Sequence, residues 1–246
     1  MEPSEYHAIR RIEDHHWWYA GMRAITTALL ESLYPGRRDL RILDAGCGTG
    51  GAMAHLARFG RVTGCDLSAL ALELARTRGL TEFGQASVTA LPFAPASFDL
   101  VTSFDVLYHR AVGDPRVALR QFRRVLLPGG RVLLRLPALD WLRGGHDVAV
   151  HTARRFTTGS VAAALGDTGF AVERLTYANS LLLPVAVARR LLDRVTPGGL
   201  PARSDVTHHP AWLDALLRQP LALEARWLRQ RRLAWGLTVV AVGRAV

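Results

Sequence analysis

Residues 41–50, RILDAGCGTG, run a short apolar segment straight into an acid and three alternating glycines. This junction constrains the fold more than any other part of the chain. A short apolar run ending in glycines reads as a buried strand meeting a tight turn, and GAMAHLARFG at 51–60 continues it as a helix with a glycine stop. RVTGCD at 61–66 repeats the strand and LSALALELARTRG at 67–79 repeats the helix, with Ser68 as its N-cap. Strand and helix alternating at this pitch require right-handed crossovers, hence a parallel sheet covered by helices. In such sheets a ligand sits beyond the carboxyl ends of the strands. Asp44, Gly46, Gly48 and Gly50 stand at that end of the first strand, and Asp66 at that end of the second. The glycines allow close backbone approach and positive φ. A carboxylate at Asp66 can accept both hydroxyls of a ribose.

The pattern continues along the chain. Residues 4–34 read as one or two helices, 83–88 as a weak strand, 97–105 as a strong one, and 114–130 as a helix closed by Pro-Gly-Gly. A strand at 131–137 leads into a long polar loop at 138–157, then a helix at 158–170 and a strand at 171–178. Helices at 180–195 and 211–232 flank a Pro/Gly-rich loop before the last strand at 237–242. With 246 residues, 49% of them hydrophobic, one α/β domain is expected. The polar start has no signal-peptide core and no run nears 18 apolar residues, so a cytoplasmic protein is expected. Cys47 and Cys65 end apolar runs and read as small buried hydrophobes. The net charge of +10 comes from a chain without lysine. Its arginines are dispersed on apparent helix faces and lack the aromatic interleaving of a base-stacking platform, which disfavours a nucleic-acid partner.

Three details separate this chain from a dinucleotide-binding dehydrogenase. It has GxGxG followed by Gly51, one glycine more than the dinucleotide fingerprint GxGxxG. Asp44 precedes the glycines, where it would repel a pyrophosphate and attract an ammonium or sulfonium. The series ALPFAPASFDLVTSFDVLYH at 90–109 and LLPGGRVLL at 126–134 has no dehydrogenase counterpart. Together these segments resemble the class I S-adenosylmethionine-dependent methyltransferases, in the subgroup of bacterial small-molecule enzymes, over about residues 41–136. The resemblance implies a Rossmann-like α/β fold: a seven-stranded, mostly parallel sheet with an antiparallel last strand, helices on both faces and a helical insertion before that strand. It divides the single domain into an N-terminal helical cap at 1–36, a cofactor-binding core at 37–178, a helical lid at 179–234 and the last strand at 235–246.

Carried onto this sequence, the resemblance places the Gly46–Gly50 loop under the methionine part of the donor. Asp66 would hold the ribose hydroxyls and Leu67 would flank the adenine, with Val88 and Phe104 on the same wall. The family commonly has Asp before L-P-F to accept the adenine amino group; here Ser87 stands there, an acceptor without charge assistance. The segment EDHHWWYAGMR at 13–23 is similar to the subgroup's N-terminal cap. Trp17, Trp18 and Tyr19 would cover the sulfonium and Arg23 would pair with the methionine carboxylate.

Base candidates for an O–H or N–H acceptor are His109, just past the strand at 97–105, and His146 and His151 in the long loop. The loop's irregular His-Asp…His spacing makes a metal role weaker than an acceptor wall or a structural one. The apolar, arginine-bearing stretch 180–195 could close the acceptor pocket, lie on a membrane surface or pair two copies of the chain; a lid is the simplest. The sequence therefore points to methyl transfer from S-adenosylmethionine to an O or N atom of a small biosynthetic metabolite. A nucleic-acid methyltransferase and a non-catalytic cofactor-binding module are the alternatives.

Overall fold

The structure is a computed structural model, and it describes residues 1–188 and 210–246, with the side chain of His146 outside that description. The N-terminal region forms two helices, α1 (Pro3–Ile12) and α2 (Trp17–Leu33). Then follow β1 (Leu40–Ala45), α3 (Gly51–Leu56), β2 (Gly60–Asp66), α4 (Ala69–Arg76) and β3 (Phe83–Gln85). The second half holds β4 (Phe98–Phe104), α5 (Pro115–Val125), β5 (Leu126–Pro137), α6 (Gly145–Ala149), α7 (Thr158–Gly166), β6 (Phe170–Ala178), α8 (Ala211–Trp227) and β7 (Thr238–Ala245). The seven strands order β3-β2-β1-β4-β5-β7-β6. The pairs from β3 to β5 are parallel, while β7 runs antiparallel to both β5 and β6. This is the Rossmann-like topology that the sequence resemblance implies.

Strand alternation builds two cores. Leu43 and Val101 face one side of the sheet with Ala118, Phe122 and Leu165 of α5 and α7, while Ile42 and Leu100 face the other with Met22, Leu29, Met53 and Leu221. A strand covered on both faces needs apolar residues at every position, which is why these strands read as continuous apolar runs. On the second face α8 packs along α2. Its Leu221, Ala225 and Leu228 are buried, and a Cβ on Gly21 would overlap the Leu221 side chain. The insertion is therefore a structural layer of the sheet as well as a wall above it.

Several boundaries differ from the sequence reading. The helix expected over 114–130 ends at Val125, and Leu-Leu-Pro-Gly-Gly begins β5 instead. Leu126 pairs with Phe98, and the register then shifts across Gly129, whose φ of 75° accommodates the bulge. The strand at 83–88 shortens to three residues, because Ser87 leaves the ladder and bridges to Ala90. The loop at 138–157 contains α6 and a 3₁₀ turn at Asp140–Leu142. Ser68 caps α4 as expected, accepting from the Ala71 N–H. Of the helix expected at 180–195, residues 183–188 are helical, 180–182 precede them as a turn, and 189–195 lie outside the described residues, as does most of the 196–210 loop. Among the described residues no helix is long and apolar enough to cross a membrane.

Leu221 is fully buried between α2 and the sheet. Leu221→Ala is expected to lower stability by ~2–5 kcal/mol, read by urea denaturation. A loss below ~1 kcal/mol would mean that α8 contributes little to the core.

Candidate functional site

The parallel strands deliver their carboxyl ends to one edge of the sheet, where a chamber of about 930 Å³ opens beneath α1, α2 and the 182–186 segment. Its floor is the turn after β1. Gly46, Gly48 and Gly50 have φ of 86°, 53° and 82°, a region that side chains avoid. A Cβ at Gly48 would meet no atom within 4 Å, so the bare backbone faces open space. The turn is tied to β2 by the Gly46 and Cys47 N–H groups, which donate to the Cys65 carbonyl at 2.8 and 2.9 Å.

Asp66 completes this floor. Its Oδ2 accepts the Gly48 N–H at 2.9 Å and its Oδ1 accepts the Ser68 N–H at 2.9 Å. Each oxygen keeps further acceptor capacity. Burial raises the Asp66 carboxyl above its usual value, opposed by these backbone donors. Asp44 lies deeper, only 1% exposed. Its Oδ1 accepts the Thr102 hydroxyl at 2.7 Å, whereas its buried Oδ2 has no partner. Burial pushes the Asp44 carboxyl up to about 6, against the hydrogen bond from Thr102 and the charge of Arg135.

At the ends of β4 and β5, Arg135 is clamped between aromatic rings, 5.0 Å from the Trp18 centroid and 4.7 Å from that of Phe104. Its Nε donates to Asp105 Oδ2 at 2.7 Å, and the Asp105 N–H donates to the Arg135 carbonyl at 2.9 Å. Tyr19 and Tyr108 line the same region. Burial raises both phenols above their ordinary value.

The cap is latched onto the glycine turn by buried charge. Glu13 accepts the Thr49 hydroxyl at 2.5 Å and Arg78 Nη2 at 2.6 Å, and its carboxylate occupies the space a Cβ on Gly51 would fill. Arg78 also donates to Asp14 and to the Thr49 carbonyl. A glycine at 51 is thus required by the cap.

A family model described as a methyltransferase domain matches residues 43–134, from the middle of β1 into β5. Residues 43–134 are a methyltransferase domain of the class I S-adenosylmethionine-dependent kind. It is 33% identical over 142 residues to the malonyl-[acyl-carrier protein] O-methyltransferase of Enterobacter lignolyticus, covering 55% of this chain and 54% of that protein. It is 39% identical over 110 residues to the ubiquinone/menaquinone biosynthesis C-methyltransferase of Klebsiella pneumoniae, covering 40% of this chain and 43% of that one. The chain thus spans about half the length of these curated relatives. Among solved structures, an S-adenosylmethionine-dependent methyltransferase from Mesorhizobium loti superposes with a TM-score of 0.55 at 20% identity, covering 88% of this chain and 95% of that one. The family's methyl donor is S-adenosylmethionine.

The chamber gathers Asp44, Gly46, Gly48, Asp66, Leu67, Ser87, Val88, Phe104, Trp18, Arg23 and His109. Gly50 lies behind the turn, where a Cβ would strike Leu80. Leu67 is 56% exposed, a position that leaves its face open to a flat ring. The Ser87 hydroxyl is engaged locally, 2.7 Å from Thr89 Oγ1 and accepting the Thr89 N–H. Arg23 donates to the Glu13 and Asp14 carbonyls at 2.7 and 2.9 Å, closing the end of α1. His109 and His151 come within 5.6 Å of each other, ring to ring. The Met1 nitrogen lies 2.9 Å from His109 Nε2 and 3.1 Å from His151 Nδ1. His109 Nδ1 accepts the Ala111 N–H, and His151 Nε2 lies 2.7 Å from Glu2 Oε1. Burial lowers His109 to about 4. Asp147, read with the histidines, pairs instead with Arg155 at 2.9 Å.

Sequence reasoning missed Glu13, Thr49 and Arg78 as a unit, and it missed Arg135 with Asp105. Glu13 lies 36 and 65 positions from its two partners, so no local pattern connects them. Arg135 sits inside an apolar strand, and a charge at such a position was the available signal.

A group whose folded pKa is raised adds stability below its unfolded pKa and loses it as pH climbs through the folded value. For Asp44 the window runs from about 4 to about 6. Ligand-free Asp44→Asn is expected to gain on the wild type across this window, by on the order of 3 kcal/mol at neutral pH. Paired urea denaturations at pH 4 and pH 7 measure it, and an unchanged difference would place the Asp44 charge in a solvated setting.

Proposed function

We propose that the chain transfers the methyl group of S-adenosylmethionine to an O, N or C atom of a small-molecule acceptor of biosynthetic metabolism. The observation that carries this reading is the Asp66 carboxylate, fixed by the Gly48 and Ser68 amides beside a glycine turn that is open to the chamber. Buried and oriented in this way, Asp66 can accept two vicinal hydroxyls, one on each oxygen. The unpartnered Oδ2 of Asp44 suits the donor's cationic amino-acid end, since an unpaired buried acceptor is costly until it is matched. Leu67 and Val88 supply apolar faces for the adenine. With Ser87 engaged on Thr89, adenine recognition rests on packing and nearby backbone groups. O and C acceptors are favoured by the names of the relatives, and N by the sequence reading alone.

When bound, the donor supplies a methyl group on a sulfonium, and its departing thioether is neutral and needs no acid. The chain's own task is alignment and water exclusion. Trp17, Trp18 and Tyr19 at the start of α2 cover the chamber, held down by the Glu13 latch. His109 is the base candidate that lines the chamber. Its lowered pKa keeps it neutral at pH 7 but makes it a weak proton acceptor. Residues 1–36 act as the cap, 37–178 as the donor core and 179–234 as a lid whose α8 doubles as a layer of the fold, with 235–246 completing the sheet.

Asp66→Ala is expected to weaken binding of S-adenosylhomocysteine by tenfold or more in calorimetry, because each charge-assisted hydrogen bond is worth ~1.5–3 kcal/mol. Unchanged affinity would remove Asp66 from the donor site. A cation next to Asp44 pulls its pKa down, so S-adenosylmethionine affinity should rise as pH increases from about 5 to 7. Asp44→Asn should abolish that rise; a pH-independent wild type would show that Asp44 does not meet the donor's charge.

A further inference from the structure

Two chamber-lining cations at and beyond the end of β5 have no task in the donor reading: Arg155 is paired on both Asp147 oxygens, which leaves Arg135 with nitrogens to spare. Its guanidinium is stacked between Trp18 and Phe104, and only its Nε is bonded, to Asp105. The two terminal nitrogens have no hydrogen-bond partner among the described residues, although the side chain is only 13% exposed. The hydroxyls of Tyr19 and Tyr108, which line the same chamber, also bond to none of the described residues. Burial keeps both phenols protonated, and Asp105 is among the charges that hold each of them so. This gives a planar fork and two hydroxyl donors, pre-ordered by aromatic stacking, with acceptors absent. An arginine fork matches the paired oxygens of a carboxylate better than any neutral group.

We propose that Arg135, with Tyr19 and Tyr108, is an oxyanion subsite for the methyl acceptor, which enters as a carboxylate or as an enolate-type delocalised anion on an apolar body. This deepens the proposed methyl transfer and rests on it for the placement of the donor. Leu142, Val150 and Leu182 line the chamber and suit the apolar body. One oxygen of the anion is held on Arg135. The other end of the same delocalised system, the second oxygen or the enolate carbon, attacks the methyl carbon. The new bond to that carbon forms as the carbon–sulfur bond breaks, the bonding pair stays on sulfur, and anion and sulfonium are both neutralised. No proton moves in this step. An anionic acceptor therefore dispenses with a general base, which accords with a weakly basic His109 whose two ring nitrogens are both engaged.

The same fork could take the carboxylate of the donor's methionine part, and binding measurements separate the two sources. Benzoate and octanoate, with benzamide and octanamide as neutral matches, are titrated by calorimetry into the protein with and without saturating S-adenosylhomocysteine. The carboxylates are expected to bind at least tenfold tighter than the amides. R135Q should erase that preference while changing S-adenosylhomocysteine affinity by less than twofold, and Tyr108→Phe should lower carboxylate affinity about fivefold. Equal binding of acids and amides by the wild type overturns the proposal. So does an R135Q variant that keeps the preference but loses S-adenosylhomocysteine tenfold, which assigns the fork to the donor. Circular dichroism checks the fold; if R135Q unfolds, R135K, which keeps the charge but not the planar fork, should show a reduced preference. Failure of the wild type to bind S-adenosylhomocysteine would sink the donor reading, while the titrations without it still decide the subsite.

Discussion

The Asp66 carboxylate takes one amide from the turn after β1 and one from the start of α4, and so joins two consecutive βα units at their common edge. Without it the Gly48 amide would lose its partner, and the turn would be held by its bonds to the Cys65 carbonyl, the Gly50 N–H on the Cys47 carbonyl and the contacts of Thr49 with Glu13 and Arg78. A turn in left-handed backbone is stable only when its amides are satisfied and no side chain intrudes. Two amides leave the same carboxylate acceptor capacity toward the chamber. Structural anchoring and the acceptor capacity on which the proposed donor reading rests thus fall on one side chain.

Everything above the sheet edge leans on that turn. The Glu13 carboxylate bonds to Thr49 and Arg78 in a pocket that only a glycine at 51 leaves open. Arg78 is 9% exposed and Glu13 7%, so neither charge can return to water while the cap is seated. Removing Arg78 strands the Glu13 carboxylate, whereas Arg78 keeps Asp14 when Glu13 is removed, and this network holds the cap in one register. The opposite wall is fixed by a comparable device: Glu224 of α8 accepts the Ser180 and Leu181 amides at 2.7 Å each, anchoring the segment that leads over the chamber.

The surface and the chamber have different electrostatics. The chain carries a net charge of +10, and many of its arginines pair locally on separate elements, as Arg37 does with Asp39, Arg61 with Glu82 and Arg116 with Asp167. The chamber instead is lined by Glu13, Asp44, Asp66, Asp105 and Asp147 with Arg23, Arg135 and Arg155, and among these arginines only Arg135 stacks on aromatic rings. Acids gathered at the glycine turn and a stacked cation at the end of β5 give the chamber opposite charges at its two sides. The charge of the whole chain predicts nothing about this arrangement.

The sequence by itself determined the alternation of strands and helices, the ligand edge and the acid–glycine chemistry there, because these depend on short apolar runs and neighbours within a turn. It also carried the antiparallel closing strand through family resemblance. It misjudged the end of α5, where pairing of Leu126 with Phe98 overrode a Pro-Gly-Gly stop, since strand pairing is a long-range contact that local propensity does not see. Only the tertiary structure brought Glu13 to Thr49 and Arg78, set Arg135 between Trp18 and Phe104, and engaged both ring nitrogens of His109 and His151. Those groups lie far apart in the chain, and their chemistry comes from burial and geometry that exist only once the sheet has closed. The glycine turn is legible in the sequence; the packing around it, which decides what stands opposite, is not.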